Sequence, residues 1–193
     1  MPLPSTTSEK SIIDQLLRRS KLTSTAVSII NRLLQRTIVE TIGATTALTL
    51  KDSGKFFLLD STSAVTVTLP VLSSELIGTT YTFVVKTAND NSYLIQTGDL
   101  TNGTGDTFTG YAMLGANQVS NTTNGANGRM RTATGNTSGI NLDANATNGG
   151  GEIGSTVKLT AISSTKWFCE VMVFTVEGKA GAGAGGGIFS NES

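Results

Sequence analysis

The feature that most constrains this sequence is a series of short stretches between residues 48 and 86 in which apolar and polar residues alternate. In Ala64–Pro70 valine and leucine alternate with threonine, and Thr79–Lys86 repeats the pattern with tyrosine, phenylalanine and valine. A period of two is typical of β-strands that bury one face. Asp, Ser and Gly cluster between the stretches and favour turns. The pattern predicts an antiparallel β-meander that forms half of a β core.

A second pair of stretches near the C-terminus predicts a hairpin that completes the sheet. Val157–Ile162 alternates again, and the Ser-Ser-Thr turn at 163–165 leads into the apolar stretch Lys166–Val176. Trp167 is expected to fill one end of the core, with an interface position as the alternative. The fold class predicted for residues 44–178 is therefore mainly β, an antiparallel sandwich or jelly-roll-like domain.

The first 43 residues have a different pattern and are predicted to form an N-terminal arm with two amphipathic helical segments. Apolar residues recur at helical spacing in 8–20 and again in 24–41, and Gly43 is expected to end the second helix. The arm carries six basic and three acidic residues, a net charge of +3. It is either a pair of solvated helices or a basic arm that docks on another protein; the stripe lacks a clean coiled-coil heptad.

Two further segments have unusual compositions. Residues 115–151 are rich in Asn, Thr, Gly and Ala and contain too few large apolar residues to build their own core. We expect an excursion of short strands and loops that is either stabilised by a neighbouring subunit or partly mobile. The first alternative favours a homo-oligomer, most simply a trimer. Residues 179–193 form a Gly/Ala-rich tail, expected to be a flexible linker that ends in an apolar hook, Ile188 and Phe189.

The residue types present argue against catalysis. The chain has no histidine, which is the usual general base and a common metal ligand. Its single cysteine, Cys169, lies in an apolar strand-like stretch and is expected to pack as a small hydrophobe. The Asp/Asn/Gly-rich loop 99–106 offers oxygen ligands for calcium but lacks the EF-hand spacing, and turn formation explains the same residues. We predict no enzymatic activity, no cofactor and no metal.

The overall charge and hydropathy also restrict the partners. Fourteen basic and fourteen acidic residues balance, so the charge gives no indication of nucleic-acid binding. No stretch approaches the length of about 18 apolar residues that a membrane span requires, and the N-terminus lacks the pattern of a secretory signal. We expect a protein made in a reducing cytoplasm that binds neither nucleic acid nor membrane.

The strand stretches themselves carry a resemblance. Asp-Ser-Gly-Lys-Phe-Phe-Leu-Leu-Asp at 52–60, Val-Thr-Val-Thr-Leu-Pro at 65–70 and Gly-x-x-Tyr-x-Phe-Val-Val-Lys-Thr at 78–87 resemble a β module of tailed-bacteriophage virion proteins. The module occurs in head decoration (cement) proteins and in tail-fibre proteins. The similarity covers residues 47–113 and part of 157–176. Because the matching residues are core-facing side chains and turns, the resemblance indicates the fold more strongly than the role.

The resemblance implies a structural protein of the virion, made in the host cytoplasm. The short chain, the absence of repeats or a collagen-like period and the scarcity of aromatic residues favour capsid decoration, which stabilises the head. The alternative is a tail-fibre or receptor- and glycan-binding module. The implied partners are the major capsid protein or other virion proteins, and copies of the chain in a homotrimer.

The N-terminal arm is expected to provide the main attachment to the capsid or to sister subunits, because its apolar stripes have no partner within the arm. The tail is expected to add a weaker tether. The predicted interface residues are Ile12, Ile13, Leu16, Leu17, Arg18, Arg19, Ile29, Ile30, Leu33, Leu34, Ile188 and Phe189.

Overall fold

The computed structural model describes residues 38–101, 104–115, 129–133, 135–144, 150–174 and 188–192. All of them belong to one unit, Ile38–Ser193. They are almost entirely β, and two single-turn 3-10 helices, Leu50–Asp52 and Ser74–Leu76, are the helical elements of this part of the chain. The helix predicted for residues 8–20, and the part of the second helix before residue 38, lie outside the described residues.

The strands form two sheets, so the prediction of a mainly β domain is confirmed. In chain order they are β1 (Val39–Ile42), β2 (Thr46–Ala47), β3 (Phe56–Leu59), β4 (Val65–Thr68), β5 (Thr80–Val85), β6 (Tyr93–Gln96), β7 (Thr107–Gly115), β8 (Arg129–Ala133), β9 (Gly139–Leu142), β10 (Thr156–Ala161), β11 (Lys166–Phe174) and β12 (Phe189–Ser190). Sheet A has the order β1-β3-β5-β10-β11-β7-β8, and sheet B has the order β12-β9-β6-β4-β2.

The first six strands alternate between the two sheets, and within each sheet the three of them run parallel to one another. In sheet A, β1 pairs with β3 and β3 with β5; in sheet B, β2 pairs with β4 and β4 with β6. The chain therefore winds three times around a common core, and each turn gives one strand to each sheet. The prediction of an antiparallel meander and jelly roll is wrong here. Alternation identifies a strand and its buried face, but a short polar segment forms either a hairpin or a corner that leads into the opposite sheet.

The later strands close the two sheets with antiparallel pairs. Strand β10 lies between β5 and β11 and is antiparallel to both, with Thr156 opposite Met172 and Ala161 opposite Trp167. The predicted hairpin is therefore confirmed. Strand β9 is antiparallel to β6 in sheet B, whereas β7 runs parallel to β11 in sheet A. Both sheets thus contain parallel and antiparallel pairs.

Strand β1 replaces the end of the second predicted helix. The sequence predicted helix through Thr41 and a β domain that begins at residue 44, but Val39–Ile42 pair with β3 in register, and Ile42 is buried opposite Leu59. Three of the four residues in β1 are β-branched, which favours a strand. Pairing with the edge of β3 then satisfies the main-chain hydrogen bonds of this strand. Gly43 therefore follows a strand instead of ending a helix.

Side chains from both sheets form one hydrophobic core. Trp167 is fully buried, and its ring centroid lies 5.6 Å from that of Tyr81, so its predicted core position is confirmed. The hydroxyl of Tyr81 donates to the carbonyl of Thr49 at 2.8 Å, and burial raises the pKa of Tyr81 to about 12. Cys169 is also fully buried, and burial raises its pKa to about 12. It packs as the small hydrophobe that the sequence predicted.

The described part of the 115–151 excursion belongs to this chain's own sheets. It contributes β8 to the edge of sheet A and β9 to sheet B, and Ile140 and Leu142 of β9 are fully buried in the core. For β9 the cover comes from the chain's own strands, so the expectation of cover by a neighbouring subunit is corrected for Gly139–Leu142. The excursion needs few apolar residues of its own because β6 and β12 lie on either side of β9 and supply the rest of the core.

Buried polar side chains join the corners between successive turns of the winding. The Tyr93 hydroxyl lies 2.7 Å from the carbonyl oxygen of Ser61 and 2.9 Å from that of Thr87. The Asn89 side chain is fully buried, donates to the carbonyl of Ser63 at 2.8 Å and accepts from the main-chain N–H of Asn91 at 2.7 Å. Because buried polar groups are costly when unpaired, these bonds fix the path of both corners.

Candidate assembly surface

The outer face of sheet A, the side that points away from the core, is rich in apolar side chains. Along β3, β5, β10 and β11 buried residues alternate with exposed or half-buried ones, which identifies the outward positions. The registers of five strand pairs align one outward residue from each of six adjacent strands into a row across the sheet. This row consists of Leu58, Val84, Thr156, Met172, Met113 and Met130.

Three methionines at one end of this row are the most exposed part of it. Met130, Met113 and Met172 are 70%, 49% and 47% exposed, and we call them the methionine row. Phe174, two residues beyond Met172 on β11, is 44% exposed on the same face. Contiguous exposed apolar side chains mark sites of protein association, and methionine adapts its shape to different partners.

A small polar group lies in the neighbouring row of the same face. The Lys158 ammonium lies 3.3 Å from one carboxylate oxygen of Glu170, and the Tyr111 hydroxyl donates to the other oxygen at 3.2 Å. The hydrogen bond to Glu170 raises the pKa of Tyr111. The Tyr111 ring also meets the ring of Phe168 edge-on, with centroids 6.3 Å apart. The charges of Lys158 and Glu170 cancel, so they leave no net charge in this part of the apolar face.

The structure separates the predicted interface residues into two groups. The ten residues of the N-terminal arm, from Ile12 to Leu34, lie outside the described residues. Ile188 is fully buried in the core of this chain, and Phe189 is half-buried in β12 opposite Ile140 of β9. The structure thus places the apolar hook in its own sheet B, in place of the expected contact with a neighbour.

The methionine row was not predicted from the sequence, although β11 contains a signal for it. Lys166–Phe174 has apolar residues at both inward and outward positions, including Phe168, Met172 and Phe174. A strand that is apolar on both faces is typical of a sheet that is covered on both sides. The alternation of residues in this stretch predicts only a core strand. Which strands lie beside β11 was not available from the pattern, so Met113 and Met130 were not recognised as its neighbours.

The carboxylates of the loop considered for calcium stabilise the loop itself. Asp99 accepts hydrogen bonds from the main-chain N–H of Thr101 at 3.0 Å and from its hydroxyl at 2.6 Å, and these bonds lower the pKa of Asp99. Asp106 is buried and accepts from the N–H of Leu72 at 2.8 Å, while burial raises its pKa. Within the described ranges, no three His, Cys, Asp or Glu side chains are grouped as metal ligands.

None of the helices in the described part of the chain is long and apolar enough to cross a membrane. Comparisons with protein-family models, with curated proteins and with solved structures find no match to this chain. The outer face of sheet A is therefore the feature on which a functional interpretation rests.

Proposed function

We propose that this protein is a structural protein of a bacteriophage virion that decorates the capsid as a cement protein and stabilises the head. The observation that carries the proposal is the exposed apolar outer face of sheet A, which suits a protein that works by binding other proteins. The sequence resemblance of residues 47–113 to phage virion modules supplies the virion context. A localisation in the virion follows from this role.

The occupant proposed for the outer face of sheet A is the same face of sister copies, in a homotrimer. The Lys158–Glu170 pair is compatible with this choice because its charges cancel, so it adds no net charge that would make sister copies repel one another. The methionine row adds adaptable apolar area next to the pair. In a cyclic oligomer each copy covers part of its neighbour's face, so no apolar face remains open.

Attachment to the particle is assigned to the N-terminal arm. Residues 1–37 carry six basic and two acidic residues, a net charge of +4, beside the apolar residues predicted to form helical stripes. A basic amphipathic arm gains contact area on an acidic particle surface and is steered towards it by charge. The hook at Ile188 has a place in its own core, so the arm is the better candidate for the anchor.

The proposal includes no catalytic role. The chain has no histidine, and several of its carboxylates make structural contacts. Asp60, for example, lies 2.6 Å from the Lys86 ammonium and 2.5 Å from the Thr87 hydroxyl, and these bonds lower its pKa. One observation favours the alternative of a glycan-binding tail-fibre module: the Tyr111–Phe168 pair offers aromatic surface beside a carboxylate. The position of the protein on the virion, head or tail, distinguishes the two.

Deletion of residues 1–37 tests the anchor. This boundary leaves β1 intact, which a deletion through residue 42 would not. We expect the shortened protein to fold and to associate with itself, because sheets A and B are complete, but to lose cosedimentation with particles that lack the decoration protein. A shortened protein that folds and still decorates particles normally would show that the arm is not the anchor.

Substitutions within the arm separate its apolar from its charged contribution. Replacing Ile29, Ile30, Leu33 and Leu34 with serine is expected to weaken particle binding more than replacing Arg18 and Arg19 with alanine. A buried Leu or Ile contributes about 1.5–3 kcal/mol, whereas an exposed ion pair contributes at most about 1 kcal/mol. The opposite order would indicate that attachment is mainly electrostatic.

A further inference from the structure

The methionines of the domain all lie on one face. The sequence contains four methionines, and the three that follow Met1 are the members of the methionine row, Met113, Met130 and Met172. Among the described residues none of the core side chains is a methionine. This distribution is notable because methionine is suited to filling gaps in a core. A reaction specific to thioethers therefore meets the described part of the domain only on the outer face of sheet A.

The strand registers place the three thioethers side by side. Met172 is opposite Met113 in the β11–β7 pair, and Met113 is opposite Met130 in the β7–β8 pair. The Cβ atoms of opposed residues on neighbouring strands are about 4.5–5.5 Å apart. All three side chains are exposed, so a small solute reaches them without any opening of the sheet. The row is one continuous strip and not three separate sites.

The other oxidant-sensitive side chains of the same sheet are protected. Cys169 is fully buried, and burial raises its pKa to about 12. Because oxidants react with the thiolate, a neutral and buried thiol is inert. Trp167 is fully buried as well. A mild oxidant therefore reaches the methionine row and leaves the core of the domain intact.

The relevant reaction is oxygen transfer from a peroxide. A lone pair of the thioether sulfur attacks the O–O bond of hydrogen peroxide, a sulfur–oxygen bond forms and the O–O bond breaks. The sulfur is oxidised by two electrons, and the departing hydroxide takes the proton of the transferred oxygen to give water. The product is a polar sulfoxide, which enzymatic reduction converts back to the thioether. Three such steps turn the apolar strip into a polar one.

We propose that the methionine row is a redox switch, in which oxidation by peroxide to three sulfoxides abolishes apolar binding at the outer face of sheet A and reduction restores it. The sulfur atoms lie outside the core, so the switch acts on binding and leaves the fold unchanged. The proposal rests on the proposed function only in naming sister copies as the occupant of this face. The selective reaction of the row rests on exposure and register alone.

Peroxide treatment of the full chain tests the proposal. Peptide mapping by mass spectrometry is expected to show one added oxygen on each methionine of the row and an unmodified Cys169, while circular dichroism is unchanged. Sedimentation velocity is expected to show a dissociation constant raised by about 100-fold, because three side chains no longer gain from being covered. Anilinonaphthalene sulfonate, a dye that binds exposed apolar surface, is expected to bind less to the dissociated chain. Methionine sulfoxide reductase is expected to reverse both effects.

The triple variant Met113→Leu, Met130→Leu and Met172→Leu is the matched control. It keeps the apolar area and a similar volume but has no thioether, so peroxide is expected to change neither its self-association nor its dye binding. An equal response in this variant would overturn the proposal. So would complete oxidation of the row with unchanged dye binding, or oxidation that occurs only in the unfolded chain.

A separate outcome distinguishes the switch from the proposed oligomer. If the untreated protein stays a single chain at every concentration, the homotrimer of the proposed function is contradicted. Dye binding before and after oxidation then decides the switch, since this measurement needs only the single chain. A loss of dye binding in the natural chain and not in the leucine variant would support the switch, and equal dye binding before and after oxidation would overturn it.

Discussion

Replacing Trp167 with alanine is expected to lower the free energy of unfolding by about 3–5 kcal/mol, the range found for large aromatic residues in cores. Trp167 is fully buried, packs against Tyr81 at 5.6 Å and lies between β10 and β7, so its loss leaves a cavity next to the winding strands. Its indole N–H has no hydrogen-bond partner among the described residues, so the loss is one of packing and not of a polar contact. Urea unfolding followed by circular dichroism measures the change.

The adjacent residue provides the matched control. Phe168 is on the same strand but points to the outer face, where it is half-buried and contacts Tyr111. Phe168→Ala is expected to lower the free energy of unfolding by about 1 kcal/mol, the size of one aromatic contact. Equal losses for the two variants would contradict the assignment of inner and outer faces on β11.

Replacing the methionine row with serine, as Met113→Ser, Met130→Ser and Met172→Ser together, is expected to raise the dissociation constant of the oligomer by about 100-fold. The three methionines are between 47% and 70% exposed in the single chain, and covering each contributes about 1 kcal/mol. Three such losses correspond to about two factors of ten in affinity. Sedimentation velocity over a range of protein concentrations measures the shift, and unfolding experiments check that stability is nearly unchanged.

Three equally exposed apolar residues outside the strands of sheet A serve as the control. Leu50, Val71 and Ile77 are 52%, 57% and 54% exposed. Their joint replacement with serine removes a similar apolar area but leaves the outer face of sheet A intact, so self-association is expected to persist. If both triple variants dissociate equally, or if neither does, the outer face of sheet A is not the oligomer interface.

Local patterns predicted the strands well because alternation reports directly which face is buried. The inward positions of β4 and β5, the β10–β11 hairpin and the core position of Trp167 all follow from residue types within a few positions of each other. Which strands pair depends on whether the chain returns to the same sheet or crosses to the other one after each turn. The corners at 60–64 and 86–92 contain the same turn-forming residue types that a hairpin would contain. The parallel winding was therefore not available from the sequence.

The candidate surface was less predictable than the fold for a related reason. Met113, Met130 and Met172 are far apart in the chain, and only the registers of β7, β8 and β11 align them. Ile188 and Phe189 were predicted to form an apolar hook, but the strand that binds them was not predicted. That strand is β9, in the segment that appeared too poor in apolar residues for a core. In both cases the sequence pattern identified the residues on one strand, and only the strand order identified the residues that contact them.

Electron cryomicroscopy of the virion tests the central claim most directly. The proposal predicts density for the two-sheet domain on the outside of the head, repeated over the lattice, with the outer face of sheet A and its methionine row covered by sister copies. Density for the domain only on the tail, or on the head with the methionine row open to solvent, would contradict it.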